Sequence, residues 1–241
     1  YSSAASDVYK RQMQHPTSAA PHILALRQAM ADFRQSVALG FRESRRSALW
    51  IRALSRQVDQ LLVKLWEISL GDDSRACLVA TGGYGRSQMF PGSDVDVLVL
   101  VPEGRDAELD RRVRAFLAAA WDTGLELAQS VRTLADVAQF AARDLSGYTS
   151  LLDARRLHGD PEVFGQLREQ VRGHSGWPAT DFLVAKLAER SERHARHADT
   201  AHNLEPNLKN GRGALRDLQT ARWIAQRCFG AETWRALTDQ G

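Results

Sequence analysis

The sequence predicts an α+β (α/β) fold, in which a small mixed β-sheet follows N-terminal helices and leads into an all-helical extension. Three observations predict it. Apolar residues recur at three- and four-residue steps from His22 to about Leu70. Two short apolar runs, Ala76–Ala80 and Asp94–Val101, are each bounded by turn residues. After Thr133 the helical spacing returns and continues almost to the end.

In chain order, Tyr1 to Gln14 is small, polar and mixed in charge, with no apolar core of a signal peptide. It reads as a non-native, poorly ordered leader, 1–14, and does not enter the fold reasoning. Residues 22–70 are expected to form two amphipathic helices: Ile23, Leu26, Met30 and Phe33 mark the first, and Leu54, Val58, Leu61 and Leu65 the second. The core of the sheet is assigned to 71–140. Ala76–Ala80 reads as a buried strand that ends in a glycine loop at Gly82 and Gly83. Pro91, Gly92 and Ser93 make a second turn, and the β-branched run that follows stops at Pro102. Arg105 to about Asp122 is helical, Gly124 breaks it, and Leu125-Glu126-Leu127 alternates as a third strand. The extension, 141–241, is expected to be helical over Gly147–Leu157, Pro161–Arg172, Pro178 to about Ala198 and Ala214–Phe229, following a helix at Leu134–Arg143.

The chain has 241 residues, enough for one large or two small domains at ~150 residues each. Hydrophobic residues make up 44% and charged residues 25%, which is a globular composition able to bury a core. The formal net charge of +3 is spread along the chain, weaker than a dedicated nucleic-acid binder shows, so no nucleic-acid partner is expected. Cys77 and Cys228 lie far apart without metal-ligand spacing, so neither a disulfide framework nor a zinc site is indicated. No apolar stretch reaches the ~20 residues of a bilayer span, and a cytoplasmic setting is expected.

The chemistry is concentrated in Thr81-Gly82-Gly83-Tyr84-Gly85-Arg86 and, with ten residues lying between Gly83 and Asp94, in Asp94-Val95-Asp96. Glycines after a buried strand let backbone N–H groups approach phosphate oxygens where a Cβ would collide. Arg86 could add a forked donor. Residues i and i+2 of a strand share a face, so Asp94 and Asp96 stand side by side while Val95 and Val97 pack on the other. Paired carboxylates repel unless a cation sits between them, and their hard oxygens suit Mg²⁺ or Mn²⁺. Taken singly, a Gly-Gly is usually a turn and an Asp-x-Asp a solvated strand end.

In this order, the set resembles the signature of the DNA polymerase β-like nucleotidyltransferase superfamily. The wording narrows the resemblance. Gly82-Gly83-Tyr84-Gly85-Arg86, Pro91-Gly92-Ser93-Asp94-Val95-Asp96, Ser130-Val131-Arg132-Thr133, Asn203-Leu204-Glu205-Pro206-Asn207-Leu208-Lys209 and Leu215-Arg216-Asp217-Leu218-Gln219-Thr220 are similar to the bifunctional uridylyltransferase/uridylyl-removing family, from about His22 onward. That resemblance implies transfer of UMP from UTP to a tyrosine hydroxyl of the PII signal protein, with diphosphate leaving and Mg²⁺ required. It implies Asp94, Asp96 and, as third carboxylate, Glu126 as catalytic metal ligands. Gly82, Gly83, Tyr84, Arg86 and Ser93 would contact the nucleotide. The family continues into a phosphohydrolase domain and glutamine-sensing domains, for which nothing here supplies a motif, so uridylyl removal is not expected of this stretch.

Gln88, Gln129, Arg212 and Ala214 depart from the family's usual Glu, His, Pro and Gly. Lys186, Arg190, Arg193, His194, Arg196 and His197 form a basic run that reads either as a solvated face or as a contact to the triphosphate. His194 and His197 lack a third ligand for a metal. Asp217, at a helix start, reads as a cap and ion-pair partner, and Asn203 and Glu205 read either as loop-ordering residues or as contacts to the nucleobase. Adenylyl transfer to another protein and a non-catalytic nucleotide-binding role remain the alternative readings.

Overall fold

The computed structural model describes residues 21–44, 46–71, 75–173, 176–196 and 207–239. The expected leader, and with it His197, Asn203 and Glu205, lies outside the described residues. The chain divides into two compact units. One takes the residues up to Leu134 together with Asp153–Gly165, and the other takes Ala135–Leu152 and the residues from Gln166 onward.

The first unit opens with α1 (Pro21–Glu43) and α2 (Ser47–Leu70). Proline at the first helical position costs no hydrogen bond, because that N–H has no intrahelical acceptor. The link between the two helices is fixed by Trp50, whose indole Nε1 donates to Ser44 Oγ at 2.9 Å. There follow β1 (Cys77–Ala80), a single turn α3 (Gly82–Gly85), β2 (Val95–Leu100), α4 (Ala107–Asp122) and β3 (Leu127–Arg132). Asp106 caps α4 by accepting the Leu109 N–H at 2.8 Å, and Gly124, at φ +77°, ends the connection to β3.

A fourth strand, β4 (Arg155–Gly159), completes a sheet of order β3-β2-β1-β4. β2 runs antiparallel to β1 and parallel to β3, and β1 runs antiparallel to β4. The parallel pair needs a crossover, which α4 provides. One sheet face, with Leu78, Ala80, Val95, Val97 and Val99, packs in one apolar cluster with Leu62, Leu65 and Trp66 of α2 and Val113, Phe116 and Leu117 of α4. Trp66 and Phe116 meet edge to face with ring centroids 5.1 Å apart. Asp96 alternates with Val95 and Val97, and so belongs to the opposite face.

β4 corrects the expectation of helix over Gly147–Leu157 and of an all-helical stretch from 141 onward. The helix there, α6 (Leu145–Leu152), stops at Leu152, and the chain returns to the sheet. Likewise, the expected boundary at 140/141 is not where the structure divides.

The second unit holds α5 (Leu134–Arg143), α6, most of α7 (Pro161–Arg172), α8 (Ala179–Arg196), α9 (Leu215–Phe229) and the short α10 (Trp234–Thr238). Tyr148 anchors it: its hydroxyl donates to the Val171 carbonyl at 2.8 Å, and its ring meets Phe182 edge to face at 5.5 Å. Trp177 Nε1 donates to the Ala141 carbonyl at 2.8 Å. α8 and α9 pack together where the buried Lys186 ammonium lies 4.7 Å from the Trp223 ring centroid and bonds Glu189 at 2.6 Å. Among the described residues, no helix is long and apolar enough to cross a membrane.

Candidate active site

The site is built where β1 leaves the core. Gly82 takes φ +56°, a left-handed value that an L side chain rarely adopts, and the chain closes at once into the turn of α3. The Thr81 N–H donates to the Asp96 carbonyl at 3.0 Å, which ties the start of the turn to β2 at the level of the acidic pair. Gly85 is demanded by close approach. A Cβ there would lie 2.2 Å from the Asp153 carbonyl oxygen and 3.0 Å from that of Ala80. At Gly83, by contrast, a Cβ would meet nothing nearer than 3.8 Å, and the atoms at that distance are Arg86 Nη2 and the Gln88 carbonyl oxygen. The expected glycine loop is therefore one helical turn that is open at Gly83 and packed at Gly85.

Asp94 is exposed just before β2, and Asp96 is half-buried within it. Burial, reinforced by the Asp94 carboxylate, pushes the Asp96 carboxyl up to about 6, against the opposing pull of Arg86. The charges of Asp94 and Arg86 both reach the Asp96 carboxyl. Two carboxylates held this way, one resisting ionisation, make a hard-oxygen donor pair whose repulsion a divalent cation would relieve. That fits Mg²⁺, which takes one or two carboxylates and completes its shell with water and phosphate oxygens.

Arg86 is held firmly. Its Nη1 donates to Asp153 Oδ2 at 2.5 Å and its Nε to Gln88 Oε1 at 3.0 Å. The side chains of Arg86 and Asp153 are only 7% and 0% exposed. The turn itself is gripped by Arg155 of β4, which makes two bonds to Asp59 at 2.9 and 3.0 Å and reaches the Gly85 and Tyr84 carbonyls at 3.2 and 3.3 Å. Asp59, Asp153 and Arg155 were not singled out from the sequence. The signal available was a pair of charges, Asp153 and Arg155, directly after the apolar Leu151-Leu152, where a helix end would ordinarily be solvated.

Three expected residues are placed differently. Tyr84 is 1% exposed, inside the apolar cluster and beneath the Arg155 guanidinium, so its ring faces the core and not a nucleotide. Ser93 Oγ accepts the Phe90 N–H at 3.1 Å and thereby closes its own turn. Glu126 is exposed one residue before β3, where its carbonyl accepts the Val95 N–H at 2.8 Å. The register of β2 with β3 sets Glu126 beside Asp94, yet among the described residues no group of three or more His, Cys, Asp or Glu side chains is gathered for a metal ion. Gln129, opposite Val97 in the register, accepts from the Trp121 indole at 2.9 Å on the α4 side of the sheet, away from the acidic pair.

In the second unit, Lys186, Arg193 and His194 of the basic run bond to acids within the unit. Asp217, at the start of α9, bonds Arg193 at 2.5 Å, His194 at 3.0 Å through both carboxylate oxygens, and the Gly213 N–H at 2.8 Å. The expected ion pair at Asp217 is present; the N-cap of α9 is Ala214, without a side-chain cap bond, and Asp217 instead ties back the Gly213 N–H that precedes it.

Comparison with known proteins adds the last observation. A family model described as a nucleotidyltransferase domain matches residues 58–149, which span β1, α3, β2 and β3. A second, described as GlnD PII-uridylyltransferase, matches residues 181–241. This chain is a nucleotidyltransferase-domain relative of the bifunctional uridylyltransferase/uridylyl-removing enzymes. The enzyme so named from Burkholderia orbicola (strain AU 1054) is 44% identical over 201 residues, 83% of this chain and 23% of its own length. Those from Burkholderia vietnamiensis and Chromobacterium violaceum are 43% and 40% identical over 83% and 93% of this chain. The chain spans about a quarter of the length of these relatives, 23% to 26%.

Proposed function

We propose that this chain transfers UMP from UTP to a tyrosine hydroxyl of a PII signal protein, with release of diphosphate, in the cytoplasm. The observation that carries the reading is the Asp94–Asp96 pair, whose strand is tied to the start of the Gly82–Gly83 turn by the Thr81 N–H, in a chain whose relatives are named uridylyltransferases. In this reading, Asp94 and Asp96 hold Mg²⁺, or Mn²⁺ in its place, which when bound supplies positive charge at the reacting phosphate. Gly82 and Gly83 leave their backbone bare so that the triphosphate can approach. Arg86 faces its negative oxygens. The acceptor oxygen forms its bond to the α-phosphorus as the bond to the β-phosphate oxygen breaks, and the hydroxyl proton passes to a site carboxylate. The chain's task is mainly to position and to neutralise charge, so no nucleophilic Ser or Cys is required. Glu126 lies beside Asp94 but stays exposed, and is assigned a supporting part only.

The test is incubation with labelled UTP, Mg²⁺ and PII. Asp94→Asn and Asp96→Asn should each lower labelling by roughly two orders of magnitude or more. Undiminished labelling in both would end the assignment. Running ATP beside UTP, and proteins other than PII as acceptors, decides between uridylyl and adenylyl transfer. Mg²⁺-dependent UTP binding with no transfer to any acceptor would make the chain a nucleotide-binding module.

A further inference from the structure

Among the described residues, Asp153 is the one carboxylate with a fully buried side chain beside the site, and the transfer reading assigns it no part. It sits between α6 and β4, 67 positions from its partner, yet it meets the turn twice. Its carbonyl oxygen occupies the space a Cβ on Gly85 would need, and its carboxylate binds Arg86 Nη1 at 2.5 Å. Gln88 takes Nε at 3.0 Å. With two nitrogens of the guanidinium committed to protein acceptors, the plane of the fork is set, and Nη2 is the nitrogen that lies nearest Gly83, 3.8 Å from where a Cβ would stand. Gly83 is the open position of the turn. A buried ion pair is a poor source of stability, because desolvation consumes most of its attraction, and apolar residues of equal volume commonly serve as well. An acid sealed against the arginine that lies beside the open glycine is better explained by geometry than by folding energy.

We propose that Asp153 is a positioning residue for nucleotide binding: through Nη1 it fixes the Arg86 guanidinium so that Nη2 is presented over Gly83, toward the phosphates. This rests on the transfer reading for what Arg86 contacts, but not for how Arg86 is held. Asp153 never touches the nucleotide. Freed of it, the arginine keeps its charge and loses its direction, so affinity for the triphosphate falls while the reacting groups stay in place.

The experiment has two arms, both on the full chain. In the first, ¹⁵Nε–¹Hε relaxation of Arg86 is measured without nucleotide. The parent should give an ordered signal, and Asp153→Asn an averaged one. In the second, KM and kcat for UTP are measured in a double-mutant cycle. Asp153→Asn should raise KM about tenfold with kcat changed far less. In an Arg86→Gln background, it should change KM less than about twofold. Where Asp153→Asn alone unfolds, Asp153→Glu, which keeps the charge but displaces the carboxylate, takes its place in both arms with the same expected results. An Arg86 signal as ordered in Asp153→Asn as in the parent, or effects on KM that multiply in the cycle, would overturn the proposal. A parent chain that moves no nucleotide would instead sink the transfer reading, and the relaxation arm would still decide whether Asp153 holds Arg86.

Discussion

Gly83 and Gly85 lie two residues apart in one turn, and alanine should affect them in opposite ways. At Gly85 the new methyl would stand 2.2 Å from the Asp153 carbonyl oxygen and 3.0 Å from that of Ala80. An ordinary carbon–oxygen contact is about 3.3 Å or more, so the overlap with the first oxygen is about 1 Å. Both oxygens are main-chain atoms, so neither can swing aside as a side chain would. Over-packing of this kind costs about 1–3 kcal/mol, and the rigidity of both obstacles places Gly85→Ala at the upper end, about 3 kcal/mol. For a chain of this size that lowers Tm by about 6–12 °C. At Gly83 the nearest atoms are 3.8 Å away and the backbone is unstrained, so Gly83→Ala should change stability by less than about 0.5 kcal/mol. Its methyl projects into the proposed phosphate approach, so UTP binding should weaken in a protein that melts normally. Thermal unfolding followed by circular dichroism, paired with UTP titration in Mg²⁺, reads both. A Gly85→Ala protein melting within about 2 °C of the parent would refute the packing reasoning, and unchanged UTP affinity in Gly83→Ala would remove that glycine from the phosphate path.

Other perturbations read out the electrostatics. Because Asp96 is pushed up from 3.8 to about 6, the folded metal-free chain keeps a proton that the unfolded chain releases, and stability falls as pH rises through that window. Asp96→Asn should therefore be more stable than the parent by on the order of 2 kcal/mol at pH 8 and no different at about pH 4. Equal urea midpoints at pH 8 would contradict the shift. Burial pushes the Asp217 carboxyl up, but the Gly213 N–H, Arg193 and His194 together hold it below its usual value. Its contribution is present above the unfolded pKa and is lost as pH falls through the lower folded one. Asp217→Asn should cost about 2–3 kcal/mol at neutral pH, with the gap to the parent closing in strong acid; urea unfolding at both pH values checks it. Glu126→Gln, on an exposed side chain outside any metal-ligand group, should cut labelling of PII less than about tenfold, and a loss matching that of Asp94→Asn would restore it as a third ligand.

Much of the first unit was legible because its signals are local. The β-branched run after Asp94 fixes β2 within one residue, the short apolar run before Gly82 fixes β1, and alternation alone puts Asp94 and Asp96 on the face away from the core. The rest depends on contacts between distant residues. Arg155-Arg156-Leu157-His158 has a single apolar member and reads as the end of a helix; it becomes a strand because β1 offers it an unpaired edge. Tyr84, expected from the family resemblance to contact the nucleotide, is instead buried in the apolar cluster, which its place in a glycine turn does not reveal. Asp153 and Asp59 are invisible as site residues for the same reason, since their partners Arg86 and Arg155 lie 67 and 96 positions away.

The path of the chain bears on how this protein can be cut. It leaves the sheet unit after Leu134, comes back at Asp153, and departs again beyond Gly165. An expression piece trimmed at the end of β3, where the sheet looks finished, would lack its edge strand together with Asp153 and Arg155. Its acidic pair would remain while the arginine beside it went unanchored. Such a piece could fold, bind metal and still mishandle nucleotide, so a minimal version of this site has to run through Gly159 and carry the helices between.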